Sequence, residues 1–283
     1  MYQYFNFEKR DNLIVGYSFP CENPNHVMCI IHGIGEHAGR YDRMAEKLKQ
    51  ENIAVLSMDL RGHGKSKGVR GHAAPRKEIL KDIDALLSYS QEMYPNVPIV
   101  LYGHSMGGNI VLDYRSRGEK NNLPVAYIVS APWIELVRKV STPQYYAVKV
   151  ASKFMPRFTI SSGCVEEDLG NLEYVKPYKE NPLVHDKVSL LCAYEGFSIG
   201  RALASGTLEN NGGSKGKPFL LMHGTADKIC SIEGTRRLAK MMEGDQNFTY
   251  VEWPRHCHEI HNGGKEATGD QVINKIIEFV KNA

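Results

Sequence analysis

The stretch PIVLYGHSMGGNIVLDY, from Pro98 to Tyr114, constrains the fold more than any other part of the chain. It begins as a short apolar run, breaks at a serine surrounded by glycines, and continues with apolar residues at helical spacing. A strand that turns directly into a helix crowds its own backbone, and glycines relieve that crowding. We therefore predict a sharp turn in which Gly103, His104 and Gly107 present the Ser105 hydroxyl beside a helix N-terminus.

The same strand and helix alternation extends through the first half of the chain and returns near its end. Nearly continuous apolar runs, typical of strands covered on both faces, alternate with segments of helical period. This order predicts a parallel, doubly wound α/β sheet. The first residues, FNFEKRDNLIVGYSF, alternate without an intervening helix, which predicts an antiparallel hairpin at the sheet edge. The predicted strands are 27–33, 53–59, 98–105, 125–132, one within 217–227, and 248–253.

The middle of the chain lacks such strands. Residues 133–200 contain aromatic-rich amphipathic pieces instead, which indicates a helical insertion over one end of the sheet. We predict a core made of residues 1–132 and 201–283 and a cap made of residues 133–200. With 283 residues, the chain is long enough for one large domain with an insertion of this kind.

Charge and cysteine content indicate which partners and which cellular location to expect. The net charge is +3, and the 35 basic and 32 acidic residues are interspersed, so we expect no nucleic acid partner. The six cysteines include no C-x-x-C pair, which favours reduced thiols and a cytoplasmic protein. We expect neither a signal peptide nor a transmembrane helix, because no apolar stretch has the required form.

A serine nucleophile needs a histidine base and a carboxylate, in the chain order serine, acid, histidine for this architecture. Asp227 follows the predicted strand in PFLLMHGTAD, so we predict it as the acid. Asp59 also ends a strand but precedes Ser105, and we expect it to order the turn that follows it.

Three histidines follow the last predicted strand in PRHCHEIHNGG. We predict His258 as the base, with His256 and His261 as alternatives. Metal binding by the three histidines is disfavoured, because no acidic or thiolate pattern completes a known catalytic zinc motif. We expect no metal and no cofactor.

The negative charge that develops on an attacked carbonyl requires two N–H donors. The residue after the serine, Met106, supplies one. The turn IIHGIGEH follows an early strand, which makes the N–H of Ile34 the predicted second donor.

Four motifs together resemble the monoacylglycerol lipase and lysophospholipase branch of the α/β-hydrolase superfamily: HGIGEHAGRY, DLRGHGKSKGVRG, YGHSMGG and HGTADKIC. The likeness covers nearly the whole chain, including NPLVHDKVS, which is similar to the end of that family's cap. It implies hydrolysis of an ester with one fatty acyl chain and a catalytic histidine that opens a His-Glu-hydrophobic segment, as HEI at His258 does. Two departures are the His261-Asn262-Gly263 run, where relatives often carry Asn-Glu, and SAPWIELV at the start of the insertion.

The resulting hypothesis is a serine carboxylic-ester hydrolase that releases a fatty acid from monoacylglycerol or lysophospholipid. The alternatives are an amidase or iminopeptidase, a short-chain carboxylesterase, and a non-catalytic small-molecule receptor. In an amidase or iminopeptidase, Glu166, Glu167 and Asp168 would bind the amine of the substrate. We expect the cap either to line an acyl tunnel or to rest transiently on a membrane surface. The predicted acyl pocket consists of Tyr145, Tyr146, Phe154, Met155 and Phe158.

Overall fold

An eight-stranded sheet runs through the centre of the computed structural model, which describes residues 2–7, 13–175 and 180–283. The strand order is β1-β2-β4-β3-β5-β6-β9-β10. The pairs β1 with β2 and β2 with β4 are antiparallel, and the other neighbours in the sheet are parallel. The strands are β1 (Gln3–Asn6), β2 (Val15–Phe19), β3 (His26–Ile31), β4 (Ile53–Met58), β5 (Ile99–His104), β6 (Ala126–Ser130), β9 (Phe219–Gly224) and β10 (Phe248–Trp253).

Helices cover both faces of this sheet, which explains why its central strands are apolar along their whole length. Two separate clusters of buried side chains lie on opposite faces. One cluster packs the sheet against α2, α3 and α7, and the other packs it against α1 and α8. The mostly parallel, helix-flanked sheet predicted from the sequence is confirmed. These helices are α1 (Asp42–Gln50), α2 (Arg76–Met93), α3 (Met106–Arg117), α7 (Ile232–Met241) and α8 (Asp270–Lys281).

The strand order reverses direction at β3. The chain passes from β3 to β4 on one side and then crosses to β5 on the other side of β3. Loops that leave the carboxyl ends of β3 and β5 therefore diverge, and such a switch point opens the crevice in which α/β proteins bind ligands. The loop with Ile34 follows β3, and Ser105 follows β5.

The segment between β6 and β9 carries α4 (Thr142–Phe154), β7 (Thr159–Ser161), α5 (Leu172–Val175), β8 (Lys187–Ser189) and α6 (Leu190–Ser205). The antiparallel pair of β7 and β8 has three residues in each strand, too short and too polar to stand out in the sequence. Helix α6 continues past residue 200, the predicted end of the cap.

The edge hairpin predicted near the N-terminus is present as β1 and β2, although its turn lies outside the described residues. Within the described ranges, no helix is long and apolar enough to cross a membrane.

Candidate active site

Ser105 lies in a strained turn between β5 and α3. Its φ and ψ are 56° and −118°, a backbone conformation that residues with side chains rarely adopt. A Cβ atom on Gly103 would lie 2.4 Å from the carbonyl oxygen of Gly107, and one on Gly107 would lie 2.1 Å from that of Ile31. The glycine pattern is therefore a steric requirement of the turn that exposes the Ser105 hydroxyl to the crevice.

Three side chains from separate loops form a continuous hydrogen-bonded chain. The Ser105 Oγ lies 2.8 Å from the His258 Nε2, and the His258 Nδ1 lies 2.7 Å from the Asp227 Oδ2. Ser105 and His258 are buried, and so is the side chain of Asp227. Because the Asp227 carboxylate can only accept, Nδ1 donates to it and Nε2 is left to accept the serine proton. The sequence-predicted residues Ser105, Asp227 and His258 are thus brought together in the geometry that nucleophilic catalysis requires.

Asp227 is held by further donors that the sequence analysis missed. Its Oδ1 accepts the backbone N–H groups of Ile229 and Cys230 at 2.8 and 3.0 Å. The Nε2 of His223, at the end of β9, lies 3.0 Å from Oδ2 and donates to it. Burial acts to raise the pKa of Asp227, but the neighbouring His258 and His223 outweigh it and hold the pKa below its usual range. Asp227 therefore stays ionised and fixes the orientation of His258.

The contact with Asp227 shifts the pKa of His258 in the opposite direction, upward. Burial lowers the pKa of this imidazole, while the charge and hydrogen bond of Asp227 raise it, and the net shift is upward from 6.5. An upward shift makes His258 a stronger base for the proton of Ser105.

The other predicted candidates have different contacts. The His256 Nδ1 lies 2.9 Å from the carbonyl oxygen of Pro254, and the His261 ring stacks on Tyr41 with ring centroids 5.3 Å apart. Asp59 accepts the backbone N–H groups of Ala38 and Lys65, so it orders the neighbouring turn as expected. Of the three histidines, only His258 contacts both Ser105 and Asp227.

The turn after β3 passes close to the serine. A Cβ on Gly33 would lie 3.0 Å from the Cβ of Ser105, so a side chain at this position would press against the serine. The N–H of Gly33 donates to Glu36 Oε1 at 2.5 Å, and the His32 Nδ1 donates to the Gly33 carbonyl at 2.7 Å. Both contacts fix the turn that carries Ile34, which lines the same cavity as Ser105. Met106 begins α3, where its N–H belongs to the first helical turn.

A largely buried arginine connects this turn to the histidine loop. Arg40 donates to Glu36 Oε2 at 2.9 Å and to both carboxylate oxygens of Glu259 at 2.6 and 2.9 Å. Glu259 directly follows His258, so Arg40 joins the loop with the predicted Ile34 donor to the loop with the predicted base. Burial acts to raise the pKa of Glu259, but Arg40 holds that pKa below its usual range. Neither Arg40 nor Glu259 was predicted as part of the site.

The segment between β7 and α5 lies against the site. Its backbone carbonyls accept N–H groups of the histidine loop, with Asp168 accepting from His258 at 3.3 Å and Leu169 from Glu259 at 2.6 Å. Cys164 and Leu169 line the cavity over Ser105, which has a volume of only about 10 Å³. This volume holds about one water and is too small for an ester substrate.

The predicted acyl-pocket residues lie elsewhere. None of them lines the cavity that contains Ser105. Tyr145 is partly buried, and the other four are exposed. Within α4 the helical spacing gives an apolar stripe that the described residues leave uncovered, while Met155 directly follows the helix and Phe158 lies between it and β7. The exposed members are Tyr146, Phe154, Met155 and Phe158.

The acidic residues that were considered as a binding site for a substrate amine lie outside the cavity that contains Ser105. Asp168 forms an ion pair with Lys228 at 3.3 Å, Glu166 is buried, and none of Glu166, Glu167 and Asp168 lines the cavity. Among the described residues, no group of three histidine, cysteine or acidic side chains is placed to hold a metal ion.

Comparison with known proteins agrees with the fold. Residues 22–264 match the family described as serine aminopeptidase S33. The monoacylglycerol lipase of Mycolicibacterium smegmatis is 29% identical over 86% of this chain and 84% of its own length. The crystal structure of Paleococcus ferrophilus monoacylglycerol lipase superposes with a TM-score of 0.82 at 29% identity and covers 95% of this chain and 99% of that one. An uncharacterised abhydrolase domain-containing protein of Dictyostelium discoideum is 31% identical over 93% of this chain, which spans 27% of that longer protein.

These matches confirm the α/β-hydrolase fold and the resemblance predicted from the motifs. The family match alone covers most of the chain. The chain therefore belongs to the serine aminopeptidase S33 family, in the monoacylglycerol lipase-like branch of the α/β-hydrolases, and is an enzyme of the serine hydrolase type.

Proposed function

We propose that the enzyme hydrolyses monoacylglycerol through an acyl-enzyme intermediate on Ser105. The observation that carries this proposal is the hydrogen-bonded chain of Ser105, His258 and Asp227 in a buried crevice. The substrate class comes from similarity to lipases that match over nearly their whole length.

In the first step, His258 Nε2 takes the proton of Ser105 as Oγ forms a bond to the ester carbonyl carbon. The N–H groups of Ile34 and Met106 stabilise the resulting oxyanion. When the carbonyl re-forms, the ester C–O bond breaks and His258 passes its proton to the departing glycerol oxygen. Asp227 stabilises the imidazolium while it carries that proton.

In the second step, water replaces the alcohol. The water oxygen attacks the acyl carbon while His258 accepts a proton from that water. When the acyl-enzyme bond breaks, His258 passes the proton to Ser105 Oγ. The products are the fatty acid and free enzyme. None of these steps requires a metal ion or an organic cofactor.

Substrate entry requires the cap to move, because a cavity of about 10 Å³ cannot hold an ester. We propose that residues 133–200 act as this cap and that the exposed apolar side chains of α4 rest on a lipid surface while it opens. Lys149 and Lys153 on the same helix suit an anionic lipid surface. We also propose a cytoplasmic location, supported by six cysteines that are all free thiols.

Aminopeptidase activity, which requires recognition of a free substrate amine, is the alternative suggested by the description of the family. A substrate amine would need an unpaired carboxylate in the cavity, and the two carboxylates that line it, Glu36 and Glu259, are both bonded to Arg40. Ester hydrolysis is therefore the better supported reaction.

Steady-state hydrolysis across a substrate panel tests the proposal. The panel contains monoacylglycerol, lysophosphatidylcholine, p-nitrophenyl esters from acetyl to palmitoyl, and proline p-nitroanilide. We expect monoacylglycerol and the long-chain esters to be cleaved, and Ser105→Ala to lower kcat by several orders of magnitude. Turnover of only the anilide or of short esters would overturn the lipid assignment.

Labelling with a fluorophosphonate separates failure of the triad from failure of the substrate choice. The wild-type chain should be labelled at Ser105, and Ser105→Ala should not. A wild-type chain that neither reacts with this probe nor hydrolyses any ester would contradict the catalytic role of Ser105.

A further inference from the structure

A second cavity lies apart from the catalytic one. Residues 134–140, helix α6 and helix α7 enclose about 370 Å³, which is in the size range of ligand pockets. It shares no lining residue with the cavity that contains Ser105. Its lining consists of Ile134, Glu135, Leu136, Lys139, Val140, Phe197, Arg201 and Arg237.

The lining combines an apolar wall with an excess of positive charge. Ile134 is buried, and Phe197 is partly buried and packs edge-on against Trp133 with ring centroids 5.2 Å apart. Arg237 forms an ion pair with Glu135. Within the described part of the chain, neither Lys139 nor Arg201 has such a partner.

Arg201 is nevertheless held in place. Its guanidinium lies 3.8 Å from the centre of the Tyr145 ring, a stacking contact that leaves its N–H groups free to donate. The exposed Arg201 guanidinium lines a cavity that also has apolar side chains, and this combination matches a carboxylate joined to a hydrocarbon chain. Lys139 adds a second cation to the same cavity.

The wall of the cavity is joined to the loop that holds the catalytic carboxylate. Val137 N–H donates to the Ile229 carbonyl at 3.0 Å, and Ser231 N–H donates to the Glu135 carbonyl at 2.8 Å. Asp227 accepts the N–H of Ile229 on the same loop. A ligand in this cavity therefore lies beside the active site without entering it.

We propose that this cavity binds the long-chain carboxylate anion that the hydrolysis releases. The choice of ligand rests on the proposed function, because the anion is its product. The cavity supplies both parts of the recognition: Arg201 and Lys139 for the carboxylate, and Ile134, Val140 and Phe197 for the chain.

Calorimetric titration of the full chain with dodecanoate tests this site. A fluorophosphonate first blocks Ser105, so that binding in the catalytic cavity does not contribute. We expect one dodecanoate to bind per chain, and Arg201→Glu or Lys139→Glu to weaken binding by about tenfold or more, since each replaces an attraction with a repulsion. Arg138→Glu makes the same charge change next to the cavity and should leave the affinity within about twofold.

Two further ligands separate the contribution of the carboxylate from that of the hydrocarbon chain. Dodecanol carries the chain without the charge, and inorganic phosphate carries charge without the chain, so both should bind much more weakly than dodecanoate. Equal affinity for either, or dodecanoate binding that is unchanged in Arg201→Glu and Lys139→Glu, would overturn the proposal.

The outcome is independent of the catalytic test. A chain that cleaves monoacylglycerol but binds no dodecanoate outside Ser105 keeps its function and loses this site. A chain that the probe does not label and that cleaves no ester loses the proposed function. The dodecanoate titration of that unlabelled chain and of its Arg201→Glu variant then decides whether the anion site stands.

Discussion

The surroundings of Ser105 and the outer face of α4 are organised in opposite ways. Ser105 is 5% exposed and sits among hydrogen bonds that fix Asp227, His258 and the Gly33 turn, whereas Phe154 on α4 is 81% exposed. The first region sets the position of every reacting group before substrate arrives. The second presents apolar surface that nothing in the described chain covers. The difference separates a sheet edge that holds the triad in place from an apolar surface on α4 that is free to meet another molecule, which under the proposed function is the lipid.

The largest effect should come from the residue that fixes the base. In Asp227→Asn the amide cannot hold His258 in the tautomer that accepts the Ser105 proton, so we expect kcat to fall about ten-thousandfold on a soluble ester. Steady-state kinetics measure the loss, and thermal unfolding shows whether the variant is folded. A folded variant with less than about a tenfold loss would mean that Asp227 does not orient the base.

Arg40→Met should have the next largest effect, because it separates the two loops on either side of Ser105. Glu36 and Glu259 would lose their shared cation while remaining buried, which costs about 3–5 kcal/mol of the free energy of unfolding. Displacement of the Ile34 turn or of His258 by about 1 Å lowers kcat roughly a hundredfold, with KM for a soluble ester little changed. Steady-state kinetics measure both constants.

Two comparisons distinguish positioning from simple destabilisation. Arg117, about 18 Å along α3 from Ser105, is one of two arginines paired with the buried Asp113, so Arg117→Met should lower stability without lowering kcat. Added guanidinium should restore part of the activity of Arg40→Met. A kcat loss of the same size in both variants would assign Arg40 a structural role alone.

The sequence predicted the parts of the site that local chemistry specifies. Ser105 is identified by its glycine turn, and Asp227 and His258 by their positions after strands, because parallel strands bring their carboxyl ends to one edge. Arg40 and Glu259 are 219 residues apart in the chain, and no local pattern links them. His223 was equally hidden, because a histidine that ends a strand carries no sign of the carboxylate it will meet.

The cap was less predictable for a different physical reason. The helical period of α4 predicts an apolar stripe correctly, but the period cannot tell whether another element covers that stripe. In the structure the stripe faces outward, and the cavity over Ser105 is lined instead by Cys164 and Leu169 from an irregular segment.

Substitutions on α4 should separate lipid delivery from chemistry. Moving one phenylalanine side chain from water into lipid contributes about 2 kcal/mol, so Phe154→Ser should weaken binding to vesicles of phosphatidylcholine and phosphatidylserine by up to roughly thirtyfold. Hydrolysis of a soluble short ester should stay at the wild-type rate. Vesicle co-sedimentation measures binding.

A matched pair of methionines controls for general loss of apolar surface. Met155 lies at the end of α4 and Met93 at the end of α2, and both are about half exposed. Met155→Ser should weaken vesicle binding, while Met93→Ser should not. Equal effects of the two substitutions would mean that α4 is not the contact surface.

The smallest expected effect is the pH dependence of kcat/KM, which depends on the residues at the sheet edge and not on α4. His258 must be neutral to accept the serine proton, and Asp227 raises its pKa above 6.5. The value of kcat/KM should therefore fall as the pH drops through that raised pKa, by about tenfold per pH unit on the acid side. Because this acid limb of the pH profile reports the protonation of His258, it should lie at the same pH for a soluble ester and for vesicle-bound monoacylglycerol. In Asp227→Asn the residual activity should show the limb at lower pH, since the partner that raises the pKa of His258 is gone. A limb that stays in place in that variant would assign the titration to a group other than His258.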